Sequence, residues 1–264
     1  MLEIREVTKT FFPGTPNEKI ALNSLSLTLQ QGDFVTVIGS NGAGKSTLLN
    51  VIAGELQPEQ GSVWIDNTDV TKLPAHKVAN YVGRVFQDPM VGTTPNGTIE
   101  QNLAMALARG KRRGLRRGVT SAKRELFRRE LKTLELGLED RLRTDAGFLS
   151  GGQRQALSLL MATFSRPRIL LLDEHTAALD PQRAALITRL TRELVTRHEL
   201  TALMVTHNME QALALGNRLI MMHEGRIIFE LGGEEKEAAT VADLLAEFDH
   251  FRGDGGLSDR TLLG

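Results

Sequence analysis

Two adjacent carboxylates, Asp173 and Glu174, end the apolar run Ile169-Leu170-Leu171-Leu172. Far upstream, Gly39-Ser40-Asn41-Gly42-Ala43-Gly44-Lys45-Ser46-Thr47 fits the phosphate-loop pattern G-x-x-x-x-G-K-[ST]. Such a loop offers backbone N–H groups and the Lys45 ammonium to a triphosphate, and the Ser46 hydroxyl to Mg²⁺. The apolar run reads as a buried parallel strand, which delivers both acids to the edge where open α/β sheets bind their ligands. Two neighbouring acids permit a division of labour, one holding a metal through water and the other handling an attacking water. The pair of motifs implies a nucleoside triphosphate as substrate and its hydrolysis as the reaction.

A second phosphate cradle is expected at Leu149-Ser150-Gly151-Gly152-Gln153, which opens a helix running to about residue 165. Ser150 is a good N-cap, and the two glycines let a ligand approach the first-turn N–H groups closely. A lone S-G-G-Q is more often an ordinary capped helix start. Here it stands some 20 residues before the acid-tipped strand, in a chain that already holds a phosphate loop. Two anion-binding helix N-termini, one of them on a protruding segment, point to a nucleotide clamped between two chains.

The elements that must position these groups follow from the apolar pattern. Residues 2–7, 25–29, 34–38 and 63–65 alternate or run apolar between Gly, Pro and Asn, which gives a β-rich N-terminal part. The phosphate loop follows 34–38 directly and opens a helix over 45–54. A strand over 82–86 ends at Gln87-Asp88-Pro89. From 98 to about 165 the spacing of Ile99, Leu103, Leu107, Leu126, Leu131 and Leu134 is helical. This stretch interrupts the two halves of the phosphate-binding sheet, so it is expected to project as a subdomain. A helix over 181–197, a strand over 202–206, a short helix over 209–216, strands over 219–222 and 227–231, and a last amphipathic helix over 241–251 complete the reading. The polar run Gly-Gly-Glu-Glu-Lys-Glu at 232–237 precedes that last helix.

Composition narrows the classes. Lys+Arg and Asp+Glu are both 32 in 264 residues, so no overall field points to nucleic acid or an anionic membrane. The chain has no cysteine, which excludes disulfides, thiolate metal sites and cysteine nucleophiles, and fits a reducing compartment. The uncharged stretch between Arg154 and Arg166 is shorter than the ~20 residues a bilayer requires. A soluble chain is expected, with any membrane role through a partner.

The order of the phosphate loop, Gln87, Leu149 to Gln153, the acid-tipped strand, Ala178-Leu179-Asp180 and His207 resembles an ATP-binding-cassette (ABC) ATPase, specifically the nucleotide-binding subunit of an ABC transporter. The resemblance runs from about residue 2 to 231. It implies an α/β fold: a P-loop NTPase core with an antiparallel β subdomain and an inserted helical subdomain over about 98–165. The ATPase domain is then expected over 1–233, with a short one-helix tail over 234–264. The implied reaction is Mg²⁺-dependent hydrolysis of ATP to ADP and phosphate.

By the same resemblance Phe11 stacks on adenine, and Gly39, Ser40, Asn41, Gly42, Ala43, Gly44, Lys45, Ser46 and Thr47 hold the phosphates. Ser46 and Gln87 ligate Mg²⁺, with Asp173 close behind. Glu174 is the general base and His207 contacts the γ-phosphate. Ser150, Gly151, Gly152 and Gln153 close over the ATP of an opposing subunit, and Asp180 links the two sites. The implied partners are a second copy of the chain, an integral membrane permease and a separate solute-binding protein, at the inner face of the cell membrane, with no nucleic acid. The resemblance is closest to the importer type, and over 173–181 to a group paired with permeases like those for branched-chain amino acids. An amino acid or similar small solute is the expected cargo. The rival reading is a soluble ABC ATPase such as an iron–sulfur assembly factor.

Phe12 stands beside Phe11, so either ring could stack on adenine or pack. Gln87 and His207 gain their weight from place, each at the C-terminal end of an expected strand. His76, His198, His223 and His250 have no partner pattern and are read as structural or exposed. The basic run at 111–117 is read as a solvated loop. His175 departs from the family, which commonly has Pro directly after the catalytic Glu. Either its ring titrates near neutral pH and tunes Glu174 or the dimer interface, or the turn simply tolerates it; the second reading is favoured.

Overall fold

A computed structural model describes residues 1–111 and 118–253. The elements run β1 (Leu2–Phe11), β2 (Lys19–Leu29), β3 (Phe34–Gly39), α1 (Lys45–Ile52), β4 (Gln60–Ile65), β5 (Thr68–Asp69), α2 (Ala75–Val78), β6 (Val82–Val85) and α3 (Ile99–Leu107). They continue with α4 (Ser121–Lys132), α5 (Gly151–Thr163), β7 (Ile169–Asp173), α6 (Pro181–Arg197), β8 (Thr201–Val205), α7 (Met209–Ala214), β9 (Arg218–His223), β10 (Arg226–Gly232), α8 (Gly233–Ala238) and α9 (Val241–Gly253). Cα proximity divides them into two units, 1–75 with 201–264, and 76–200.

The first unit holds two sheets. In one, β2, β1, β4 and β5 pair antiparallel in that order, the antiparallel β subdomain that the resemblance implies. In the other, β3 lies parallel to both β8 and β9, with Val37 opposite Val205 and Ile220. β9 turns back on β10 through a tight hairpin in which Glu224 and Gly225 both have positive φ. Val35, Val37, Ala202, Leu203, Met204 and Val205 are fully buried, which is why these strands read as continuous apolar runs.

The second unit holds the parallel pair β6 and β7, with Val85 opposite Leu172, and the helices α3 to α6. Ile169, Leu170, Leu171 and Leu172 are all fully buried, each contributing about 1.5–3 kcal/mol. The stretch from 98 resolves into two capped helices before α5. Thr98 caps α3 through a capping box with Gln101, and Thr120 caps α4 by accepting from the Lys123 N–H. Residues 112–117 of the basic run lie outside the described residues.

One expectation needs correction, and of the two readings of His175 the favoured one fits. The tail expected to hold one helix holds two: the polar run forms α8, whose Lys236 is buried and donates to the carbonyls of Leu213, Leu215 and Gly216 at the end of α7. A cation at a helix C-terminus satisfies orphan carbonyls there, and burial lowers the Lys236 pKa to about 8. His175 does not titrate near neutral pH. It is buried, its Nε2 lies 2.8 Å from Thr191 Oγ1 on α6, and desolvation lowers its pKa to about 4.

Candidate functional site

In the first unit the phosphate loop joins β3 to α1, as the motif requires. Gly44 is the N-cap of α1 at φ 101°, and no side chain caps the helix. A Cβ at Gly44 would stand 2.3 Å from the Ala21 carbonyl oxygen, so only glycine fits. The N-terminal amides of α1 are therefore presented by a turn that supplies no capping acceptor, the arrangement that suits an anion. Lys45 is buried, and its Nζ donates to the Gly39 and Ser40 carbonyls at 2.7 and 3.0 Å, arching back over the loop. The hairpin tip braces the loop, with the Gly225 N–H donating to the Ala43 carbonyl at 3.0 Å. Asn41 and Ser46 are exposed, whereas Ala43 is buried against the hairpin side.

His207 follows β8. The Thr206 N–H donates to Val37 on β3, and Asn208 caps α7 by accepting from the Gln211 N–H at 2.7 Å. His207 is thus held in a short turn pinned on both sides, and it lines a small pocket with Gly39, Ile38, Thr206, Met209, Met221 and Phe248. The structure brings His207 and the first glycine of the loop together. Phe11 ends β1 with the Lys9 ammonium 5.9 Å from its ring centre. Phe12 turns away at φ 52° and is 67% exposed, so Phe11 is the ring held by the sheet.

In the second unit Asp173 ends β7 and Glu174 follows at φ 45°. A left-handed glutamate costs about 1–2 kcal/mol, and the Glu174 carbonyl accepts from the Ala177 N–H to close the turn. The strain breaks the strand at the residue expected to act on water, and such outliers cluster at working sites. Gln87 is exposed beyond the end of β6, the strand paired with β7, so Gln87, Asp173 and Glu174 come off one strand edge.

Ser150 caps α5. Its Oγ accepts from the Gln153 N–H at 3.3 Å, and Gln153 Oε1 accepts from the Ser150 N–H at 3.2 Å. Asp180 caps α6, accepting from the Arg183 N–H at 3.1 Å, with Pro181 at the first helical position. The two helix starts meet: a Cβ on Gly152 would lie 3.1 Å from Arg183 Cδ, and one on Gly151 3.7 Å from Leu179 Cδ2. Ser150 to Gln153 and Asp180 therefore belong to one patch.

Sequence reasoning missed two side chains. Arg84 on β6 donates from Nη2 to Asp173 Oδ2 at 2.9 Å. Gln155, fully buried on α5, donates from Nε2 to the Phe86 carbonyl at 3.1 Å and so ties the Gln87 segment to the helix that Ser150 begins. Arg84 had a legible signal, a lone cation inside an otherwise apolar strand. Gln155 had none beyond its place one helical step past the glycines.

The comparisons give the family and the fold. Residues 22–177 match the family model described as ABC transporter. The chain belongs to the ABC transporter ATP-binding family, and it is an ATPase of that family. It is 41% identical over 250 residues to a tyrosine transport ATP-binding protein of Clostridioides difficile, covering 95% of this chain and 99% of the relative. An energy-coupling factor transporter ATP-binding protein of Acetivibrio thermocellus is 35% identical, over 93% and 84% of the two chains. Among solved structures, a dimeric ATP-binding cassette in a post-hydrolysis state with ADP and phosphate superposes with a TM-score of 0.75 at 31% identity, over 88% and 98% of the chains. A nucleotide-free cassette from an ABC transporter gives 0.76 at 28% identity, over 97% and 99%. The ABC ATPase fold expected from the motifs is the fold observed.

Proposed function

We propose that this chain is the ATP-hydrolysing subunit of an importer, working as an ATP-closed homodimer beneath a membrane permease and driving uptake of an amino acid or similar small solute. The reading is carried by two features of the one chain: an uncapped, glycine-started phosphate helix bearing Lys45, and a strand edge that bears Asp173 and the strained Glu174. The transport names of the relatives favour it over a soluble assembly factor, and tyrosine heads the candidate cargoes because the 41% identical relative is named for it.

In this reading the loop amides from Gly39 to Thr47 and the Lys45 ammonium bind the β- and γ-phosphates, and Phe11 stacks on adenine. Ser46, Gln87 and Asp173 offer oxygen donors, the ligand chemistry Mg²⁺ prefers. Among the described residues no cluster of three or more His, Cys, Asp or Glu could enclose a metal. Mg²⁺ commonly takes part of its shell from substrate phosphates and water. When bound, Mg²⁺ would supply charge neutralisation at the β- and γ-oxygens. Glu174 accepts the proton of the attacking water, and His207 donates to the γ-phosphate from the turn after β8. Ser150 to Gln153 meet the γ-phosphate bound by the other copy, and Asp180 lies at the contact. Catalysis is positioning and charge stabilisation of an in-line attack, complete only in the closed dimer.

No helix among the described residues is long and apolar enough to cross a membrane. In this reading the permease is a separate chain, and this subunit sits on the inner face of the cell membrane. A separate solute-binding protein completes the importer. Co-purification from detergent-solubilised membranes, followed by reconstitution in proteoliposomes with a panel of amino acids, tests the reading. An integral membrane partner and amino-acid-stimulated ATPase activity support it; purely soluble partners overturn it.

A further inference from the structure

We propose that Arg84 is a resident countercation at the metal site, neutralising Asp173 when no metal is bound and competing with a metal that arrives, thereby setting how much Mg²⁺ the site requires; this rests on Asp173 being the metal-side carboxylate. Arg84 Nη2 lies 2.9 Å from Asp173 Oδ2, and the two side chains are only 11% and 16% exposed. Burial to that degree strips both groups of most of their water, and each is tolerable because the other is there. The guanidinium also lies over the Phe86 ring, 4.7 Å from its centre, which holds it beside the strand end. The Phe86 carbonyl is in turn held by Gln155, so the cation has little freedom to leave.

A divalent ion drawn to Asp173 must share that carboxylate with a fixed positive charge. Like charges at such range oppose each other strongly in a half-buried setting. The guanidinium therefore lowers the affinity of the site for free metal, while the phosphates of a bound nucleotide add the negative charge that offsets it. The consequence is selectivity for metal with nucleotide over metal alone. Arg84 is a positioning residue in this account, acting through Asp173.

The test measures equilibrium binding of a fluorescent ATP analogue against Mg²⁺ concentration, with no turnover, in wild type, Arg84→Met, Arg84→Gln and Arg84→Lys. Both neutral variants are expected to reach half-saturation at roughly tenfold lower Mg²⁺, while Arg84→Lys keeps the charge and stays nearer to wild type than either of them. Mg²⁺ without nucleotide should raise the melting temperature of the neutral variants and leave that of wild type unchanged. The two neutral variants guard against one of them folding poorly. Equal or higher Mg²⁺ requirements in the neutral variants would overturn the countercation role. A wild type that binds the analogue without regard to Mg²⁺ would instead overturn the metal reading of Asp173, and the proposal with it.

Discussion

The helix N-termini of α1 and α5, both expected to meet phosphate, are finished in opposite ways. α1 starts from a left-handed glycine and no side chain caps it. α5 starts from Ser150 and Gln153 locked in a reciprocal capping box. Helix starts leave N–H groups that need a partner. At α1 the sequence withholds that partner and sets a buried lysine beside the gap, so the site is built around an anion. At α5 the start is already satisfied, and an anion must share or displace a cap worth about 1 kcal/mol. The difference teaches that the first cradle is a standing site, whereas the second is a conditional one that engages only when closure supplies enough other contacts.

The largest expected effect breaks the standing cradle. Lys45→Ala removes the ammonium that pairs with the phosphates; with a charge-assisted bond worth about 1.5–3 kcal/mol and more than one formed, ATP binding should weaken by about two orders of magnitude or more. Titration of a fluorescent ATP analogue measures this. Binding within a factor of a few of wild type would remove α1 from the account.

The conditional cradle should respond differently. Ser150→Arg places a bulky cation at the start of α5, so ATP binding to the monomer should stay within about twofold of wild type while dimer formation and ATPase activity are lost. Equal loss of nucleotide binding in the two variants would erase the distinction between the cradles.

A glycine pair sharpens the contrast in stability. Gly44→Ala forces a Cβ to 2.3 Å from a backbone carbonyl at φ 101°, and should cost about 2–4 kcal/mol. Gly152→Ala meets only the methylenes of Arg183 at 3.1 Å, which have room to swing aside, and should cost under about 1 kcal/mol. Chemical denaturation of both variants checks the order.

Much of this was legible in the residues. Buried strands such as β7 and β8 announce themselves as apolar runs, and each ends at the acid or histidine that it carries. Gly44, Lys45 and Ser150 are read from chemistry that tolerates few substitutes. What stayed hidden depends on who packs against whom. Lys236 lies in a run of charges whose helical period is only one turn long, and its burial depends on the carbonyls at the end of α7. Arg84 is visible as a cation in a strand, but its partner follows from the β6–β7 register. His175 could be placed in a turn by sequence, yet its burial beside Thr191 comes from the packing of α6.

The smallest effect on activity concerns that histidine. Because His175 stays neutral in the folded chain down to about pH 4, the pH–rate profiles of wild type and His175→Gln should superimpose between about pH 6 and 8. Its folded pKa is depressed, so its contribution is fully present above the unfolded value near 6.5 and is lost as pH falls toward 4. The full loss is on the order of 3 kcal/mol. Melting curves at pH 7 and pH 4.5 should show wild type losing more stability than His175→Gln. A profile that shifts on substitution would return His175 to the catalytic turn.

The account stands most directly on the mass of Glu174→Gln in solution. This variant keeps the size of the side chain and loses the proton acceptor, so ATP binds and is not cleaved. Light scattering behind size exclusion should report twice the chain mass with Mg²⁺ and ATP, and a single chain with ADP or when Ser150→Arg is added. A variant that turns ATP over at the wild-type rate, or stays a monomer with ATP bound, would contradict it.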